Sequence, residues 1–129
     1  MDAAETRAQG GVRLGAVPGT DRKALARQVY EAFAAADRDL IERLLADDFE
    51  FHAPPDPHLD RAGYFERCWP NAGGVQSFDF VRLIESGDEV VVTYEGHRPD
   101  GSAFRNTEVL TFAGDQVRRA EVYFGWDLA

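Results

Sequence analysis

Residues 104–126, FRNTEVLTFAGDQVRRAEVYFGW, decide the fold of this 129-residue chain. They predict two long strands joined by a tight turn at residues 113–116. Alternation puts five side chains on one face of the first strand: Phe104, Asn106, Glu108, Leu110 and Phe112. A carboxylate among apolar neighbours is costly unless it is paired, hydrogen-bonded or open to a solvated cavity. Glu108 is therefore the first candidate functional residue.

The second half of the chain consists of strands and turns. Two further strands are predicted at about 75–85 and 88–98, and the two strands described above span about 102–113 and 116–126. Short glycine-containing turns connect them. Four successive strands with such short connections predict an antiparallel meander.

The first half of the chain is mainly helical. Apolar spacing predicts helices at about 21–36, 38–46 and 60–69. Residues 49–53 alternate as a short strand, and residues 54–57, PPDP, are expected to form a rigid loop. Helices first and strands last indicate the α+β class, with three N-terminal helices packed on a curved antiparallel sheet.

Composition and charge narrow the classes of function. The net charge of −9 argues against nucleic acid and against anionic membranes as partners. No apolar run approaches the roughly 20 residues of a membrane span. With one cysteine and no apolar signal core, we expect a cytoplasmic protein. Residues 1–19 lack an apolar period and are expected to form a flexible tail before a single domain at 20–129.

The order of these elements resembles the cone-shaped fold of the nuclear transport factor 2-like (NTF2-like) superfamily. That superfamily includes SnoaL-like polyketide cyclases, ketosteroid isomerases and limonene-epoxide hydrolases. The resemblance covers about residues 22–126, in VYEAFAAADRDLIERLLADDFEFHAP, LDRAGYFERCWPN and NTEVLTFAGDQVRRAEVYFGW. The last two stretches also resemble an uncharacterised SnoaL-like subfamily. Because the fold hosts enzymes and binding modules alike, it leaves the function open.

The resemblance to ketosteroid isomerases implies where catalytic groups would lie. Their general-base aspartate precedes a proline at the end of the first strand, and Ala53 occupies that place here. Their oxyanion tyrosine on the first helix falls near Val29, which leaves Tyr30 one place off and turned away. Their second, protonated carboxylic acid lies on the third long strand. That place is Glu108.

The other two enzyme groups share less with this chain. In epoxide hydrolases of this fold an Arg-x-Asp and a further Asp activate water, and the matching places are Val91, Thr93 and Val122. In SnoaL-like cyclases the acid–base residues lie on the last strands. Only Glu108 and Glu121 offer carboxylates there, and alternation turns Glu121 away from the cavity.

Two interpretations of Glu108 stay open. It is an acid or base in an apolar cone, with a pKa raised by desolvation, or it is a structural group hydrogen-bonded to Asn106 or a tyrosine. His52 is expected to face solvent unless the strand end breaks the alternation. The surrounding aromatic set is either a packed core or the wall of a pocket for a small apolar or ring-containing ligand. The candidate ligand-binding residues are Phe51, Tyr64, Trp69, Tyr94, Phe104, Asn106, Val122 and Phe124.

Metal binding and thiol chemistry are not expected. The run FHAPPDPH contains His52, Asp56 and His58, which are ligand types, but their spacing matches no standard structural zinc pattern. We therefore expect no metal and no cofactor. Cys68 lies late in a helix, and we interpret it as a small buried hydrophobe rather than a nucleophile.

Two functions follow from these observations. The first is a small enzyme, an isomerase, cyclase or hydratase, that acts on a ring-containing substrate through Glu108. The second is a non-catalytic small-molecule-binding or dimeric scaffold domain. The outward sheet face mixes charged, branched and aromatic side chains, which predicts a homodimer through that face. Its residues are Arg105, Thr107, Val109, Arg119, Glu121 and Tyr123.

Overall fold

The structure, a computed structural model, describes residues 21–129, so the tail expected at 1–19 lies outside the described residues. Helix α1 spans Arg22–Ala35, and the Asp21 carboxylate caps it by accepting from the first backbone N–H groups. Helix α2 spans Arg38–Leu44, and Asp37 caps it in the same way. Both helices begin where the sequence predicts.

The next segment contains the largest departure from the sequence prediction. Strand β1 spans Leu45–Ala53, so it begins directly after α2 rather than at residue 49. The expected loop at 54–57 is wrong in its second half, because Asp56–Asp60 forms strand β2. Strand β2 lies at the edge of the sheet, where Pro57 is tolerated because an edge strand can lack a backbone N–H donor without losing a hydrogen bond of the ladder.

Helix α3 spans Arg61–Arg67 and ends in a 3-10 turn at Trp69–Asn71. Asp60 caps α3 by accepting from the backbone N–H of Gly63 at 2.8 Å. The sequence predicted that this helix extends to about residue 69. The α-helix ends earlier because Pro70 disfavours the α conformation of the residue before it, and the chain continues as a 3-10 turn that contains Pro70.

Four long strands complete the fold. They are β3 (Ser77–Ser86), β4 (Glu89–His97), β5 (Ala103–Ala113) and β6 (Gln116–Leu128). The sheet has six strands in the order β2-β1-β6-β5-β4-β3. Every neighbouring pair is antiparallel except β1 and β6, which run parallel. The predicted meander and α+β class are confirmed, and the curved sheet stays open on the side of the helices.

Helix α1 buries a wider face than the sequence indicated, because the line from residue 26 to residue 30 is buried beside Val29, which packs against the core. Tyr30, expected to turn away, is 4% exposed, and Ala26 one turn earlier is fully buried. The Tyr30 ring packs 5.4 Å from Phe78 and 5.1 Å from Tyr94, measured between ring centres. The small side chain at Ala26 lets α1 approach the sheet along the 26–30 line. Within residues 21–129, no helix combines the length and apolarity that crossing a bilayer requires.

A bulge near the end of β6 sets the direction of its last side chains. Asn106 pairs with Phe124, whereas Arg105 pairs with Trp126, so Gly125 is an extra residue on β6. A Cβ on Gly125 would come within 2.1 Å of the Arg105 carbonyl oxygen. Beyond the bulge the Arg105 guanidinium lies 5.4 Å from the Trp126 ring centre, and Trp126 also lines the cavity.

The close approach at Gly125 predicts a large cost for any side chain at this position. Gly125→Ala should lower the free energy of unfolding by about 1–3 kcal/mol, because backbone must move to admit a methyl group. Gly114→Ala is the matched control, since Gly114 has a positive φ of 62° but open space around it. That control should cost no more than about 1 kcal/mol. Urea unfolding of the three proteins measures both, and an equal cost would contradict the bulge.

Candidate functional site

A cavity of about 760 Å³ lies between the helices and the inner face of the sheet. Helix α1 forms one wall through Val29, Tyr30 and Phe33, and β5 forms the opposite wall. A volume of this size is typical of pockets for small molecules. Aromatic side chains form much of its wall, and charged residues also line it, among them Asp56, Arg67, Arg98 and Asp127.

Glu108 is the carboxyl group of the β5 wall. Its cross-strand neighbours are Val92 on β4, which is fully buried, and Val122 on β6, which is 9% exposed. Glu108 keeps part of its surface open to the cavity, while protein surrounds it on the other sides. Among residues 21–129, no cationic side chain is paired with it.

A chain of hydrogen bonds reaches Glu108 from the bulge in β6. The Gly125 backbone N–H donates to Asn106 Oδ1 at 3.1 Å, which turns the Asn106 amide nitrogen towards Tyr94. Asn106 Nδ2 lies 3.5 Å from the Tyr94 hydroxyl, at the long limit for donation. The Tyr94 hydroxyl in turn donates to Glu108 Oε2 at 2.7 Å. Tyr94 therefore engages one carboxyl oxygen of Glu108, and the Tyr30 hydroxyl acts on the same carboxyl.

Burial raises the pKa of Glu108 above its ordinary value, and the nearby hydroxyls of Tyr94 and Tyr30 oppose that rise. The effect is mutual, since burial and the adjacent Glu108 also raise the pKa of both tyrosines. Both tyrosines therefore stay protonated and act as donors. A carboxyl with a raised pKa is suited to exchange a proton near neutral pH.

Tyr30 is the functional candidate that sequence reasoning missed. Its hydroxyl is buried beside Glu108 and acts on that carboxyl, although no group of the described chain meets it at full hydrogen-bond geometry. A buried hydroxyl without a full hydrogen bond costs free energy, and the Glu108 carboxyl is the acceptor beside it. The sequence feature that could have identified Tyr30 is its position four residues after Ala26, because residues at this spacing lie on the same face of a helix.

Most of the residues proposed from sequence as ligand-binding lie around this cavity. Seven of them line it together with Glu108: Phe51, Tyr64, Tyr94, Phe104, Asn106, Val122 and Phe124. Trp69 does not belong to the set, because the 3-10 turn directs its ring against Phe33 and Phe65, with centres 5.8 and 6.1 Å apart. That any of the seven binds a ligand stays a prediction.

The mouth of the cavity is formed by partly exposed residues. Phe104 lies across Gly96, its cross-strand partner, where a Cβ would come within 2.6 Å of the ring. The Arg98 guanidinium covers the same ring at 4.5 Å from its centre. Phe124 is 60% exposed at the rim. A ligand can therefore reach Glu108 between these groups without unfolding the wall.

Two other groups singled out in the sequence have distinct environments. Cys68 lines the cavity, and burial raises the pKa of its thiol to about 11, so it is protonated at neutral pH. His52 lies outside the cavity, where its Nδ1 atom is 2.6 Å from the Pro57 carbonyl oxygen. Donor atoms of Glu50, His52 and His58 all lie within 4.8 Å of one another, although the linear spacing had argued against a metal site.

Comparisons with known proteins agree with this architecture. Residues 26–120 match the family model of the SnoaL-like domain. The sequence matches no curated protein. A proposed ketosteroid isomerase from Kribbella flavida is 18% identical with a TM-score of 0.69, over 84% of this chain and 80% of that one. A proposed polyketide cyclase from Sinorhizobium meliloti is 17% identical with a TM-score of 0.65, over 77% and 93%.

A third similar structure contains a bound small molecule. TerC, co-crystallised with polyporic acid, is 21% identical with a TM-score of 0.63, over 81% of this chain and 92% of that one. At these identities the three structures share the fold with this chain.

The raised pKa of Glu108 predicts a pH-dependent stability. Below its unfolded value the group is protonated in both states; as pH rises towards the folded pKa, the unfolded state ionises first and folding loses stability. Glu108→Gln removes that loss. Between pH 5 and pH 8 the free energy of unfolding of Glu108→Gln should increase relative to that of the wild type. The increase should be at most about 1.4 kcal/mol for each unit by which folding raises the pKa of Glu108, and smaller where water in the cavity screens the charge.

Urea unfolding at both pH values measures this difference, and NMR titration of the Glu108 carboxyl carbon measures the pKa directly. Tyr94→Phe is the companion variant. It removes a donor that opposes the rise, so it should raise the pKa of Glu108 further. A Glu108 carboxyl that titrates at or below about 4.3, the ordinary glutamate value, would contradict the desolvation argument.

Proposed function

The chain belongs to the SnoaL-like domain family, and from this premise we propose that it is an acid–base enzyme acting on a small ring-containing molecule in the cavity. Glu108 is the proposed proton-transfer group. The observation that carries the proposal is a buried carboxyl, unpaired with any cation of the described chain, beside the hydroxyls of Tyr94 and Tyr30.

The cavity supports a small apolar or ring-containing ligand. Phe51, Tyr64, Tyr94 and Phe104 supply flat apolar walls around Glu108, and charged side chains line other parts of the cavity. Aromatic walls with a few polar groups are typical of sites that orient a ring through its polar substituents. The co-crystallised small molecule in TerC supports a small-molecule ligand for this chain as well.

The geometry supports a proton shift between two atoms of one ligand. The proposed ligand carbonyl oxygen accepts a hydrogen bond from the Tyr30 hydroxyl after a small movement that exposes this hydroxyl to the cavity. Ionised Glu108 takes a proton from the carbon next to that carbonyl, and charge develops on the ligand oxygen that Tyr30 stabilises. Glu108 then returns the proton to another ligand atom. Isomerisation by this route consumes no co-reactant, which agrees with our expectation of no cofactor.

A second function, a non-catalytic small-molecule-binding or scaffold domain, is favoured by one observation. Ala53 lines the cavity at the place where the resemblance to ketosteroid isomerases puts their general base. The general base of ketosteroid isomerases therefore has no counterpart at that place, and the other carboxyl groups that line the cavity are Asp56 and Asp127. In the binding alternative, protonated Glu108 donates a hydrogen bond to the ligand and no proton leaves carbon.

Deuterium exchange separates the two functions. The full chain is incubated in D₂O with a panel of cyclic unsaturated ketones, and loss of the proton next to the carbonyl is followed by NMR. For the enzyme, Glu108→Gln should slow exchange by about 10²- to 10⁴-fold while sparing binding measured by calorimetry. Tyr30→Phe should slow exchange as well, because the developing charge loses a donor.

The control variant is Glu95→Gln, which alters a glutamate on the outer face that is already paired with Arg105. It should leave both binding and exchange unchanged. Binding without exchange in the wild type would select the binding alternative. A wild-type chain that binds no member of a broad panel of ring compounds would contradict both small-molecule functions.

We also propose that the chain forms a homodimer through the outer face of the sheet, in the cytoplasm. Ile84, Val91 and Val109 occupy consecutive cross-strand positions on that face, and Ile84 is 52% exposed. Tyr123 is 56% exposed beside this apolar row. The Glu95–Arg105 ion pair flanks it. An apolar centre with a charged rim is the composition expected of a subunit interface.

Light scattering at micromolar concentration should give about twice the chain mass of 14.3 kDa. Tyr123→Glu should shift the mass towards the monomer, because it buries an unpaired charge in the proposed interface. Ala35→Glu, which adds the same charge at an exposed position on α1, should leave the dimer intact. A monomeric wild type, or a dimer indifferent to Tyr123→Glu, would contradict this interface.

A further inference from the structure

The β1–β2 hairpin brings together three metal-ligating side chains on the face away from the cavity. Phe51 pairs with Leu59 and lines the cavity, so alternation turns Glu50 and His52 to the opposite face. The same register sets His58 beside His52, with ring centres 5.0 Å apart. The ligand atoms of Glu50, His52 and His58 all lie within 4.8 Å of one another.

The hydrogen bond of His52 decides which of its nitrogens is available. A backbone carbonyl oxygen can only accept, so the Nδ1 atom 2.6 Å from the Pro57 oxygen carries the proton. In the neutral ring Nε2 then has a lone pair, and it lies 3.2 Å from Glu50 Oε1. Two electron-pair donors face each other at this distance, which is favourable only when a proton or a metal cation lies between them.

We propose that Glu50, His52 and His58 form a binding site for a divalent transition-metal ion of the zinc type. Two imidazoles and a carboxylate are ligands that such ions accept, whereas magnesium and calcium prefer oxygen alone. The Nδ1–H of His52 bonded to a backbone carbonyl is the arrangement that holds a metal-ligating histidine in one orientation. Solvent occupies the remaining coordination positions, because His58 is exposed and Glu50 is half-buried.

Arg119 moderates the affinity of this site. Its Nε atom lies 4.0 Å from the same Glu50 oxygen that faces His52, so it competes with a cation for that carboxylate. With three protein ligands and a neighbouring cation, the site is weaker than a closed structural site with four ligands. We expect dissociation constants in the micromolar range.

A second cluster supplies an internal comparison. Ligand atoms of Asp79, Glu95 and His97 also lie within 4.8 Å of one another. That cluster has a single imidazole, which is already paired with Asp79 at 2.8 Å, and its Glu95 is paired with Arg105. It therefore lacks the two nitrogen ligands that would favour zinc over its existing ion pairs.

A metal at Glu50, His52 and His58 would stabilise the hairpin rather than take part in chemistry. The three ligands lie behind the cavity wall, outside the cavity. The turn between β1 and β2 contributes Pro55 to the cavity, and the strands contribute Ala53 and Asp56. Joining the two strands with a metal fixes the position of these residues without contacting a ligand.

Calorimetric titration with zinc ion alone tests the site, using the full chain without an affinity tag and circular dichroism to verify folding. The wild type should bind one zinc ion per chain. His58→Ala, at an exposed position, should weaken binding by at least about tenfold, and Glu50→Gln should weaken it as well. His97→Ala alters the third of the three histidines in the chain and should leave the affinity unchanged.

Zinc should also raise the melting temperature of the wild type and not that of His58→Ala, because only the folded hairpin assembles the ligands. Magnesium at the same concentration should do neither. Absence of saturable zinc binding to the wild type, retention of wild-type affinity in His58→Ala, or an equal loss in His97→Ala would each overturn the proposal.

Discussion

Strand β5 is paired along both of its edges, to β4 on one side and to β6 on the other. This double pairing holds Glu108 between Val92 and Val122 and leaves it no route to the outer face. A slip of one residue in either register would move the carboxyl to solvent and put Val109 into the cavity. The register of the central sheet therefore determines where the site lies, and the desolvation of Glu108 is a consequence of that register.

The polar groups around Glu108 are arranged in a line that starts at the bulge. The Gly125 N–H sets the orientation of Asn106, the Asn106 amide approaches the Tyr94 hydroxyl, and Tyr94 donates to the carboxyl. Each group in the line has its partner, which reduces the cost of placing them in an apolar wall. Tyr30 approaches the same carboxyl from α1, and its hydroxyl meets no group of residues 21–129 at full hydrogen-bond geometry. Two tyrosine hydroxyls therefore lie around the Glu108 carboxyl deep in the cavity.

Strand residues of the site were predictable from sequence, and helix residues were less so. Alternation has only two outcomes, so it placed Glu108, Asn106 and Val122 correctly once the strands were recognised. A helix face is read from a period of 3.6 residues, and a stripe centred on Val29 differs from the buried one by only one position, about 100°. Hydrophobicity favoured Val29 over Tyr30, but the fit of α1 on the sheet depended on the small size of Ala26.

The two surfaces of β1 show how one strand can serve two sites without mixing them. Phe51 and Ala53 face the cavity, whereas Glu50 and His52 face the other way, so no side chain on this strand belongs to both. Influence between the two faces passes through the backbone of the hairpin and through β6, which pairs with β1 and places Arg119 next to Glu50. Prolines at 54, 55 and 57 restrict the hairpin backbone. A change at the Glu50 face therefore reaches the cavity through backbone pairing, while Glu108 lies on the far wall between β4 and β6.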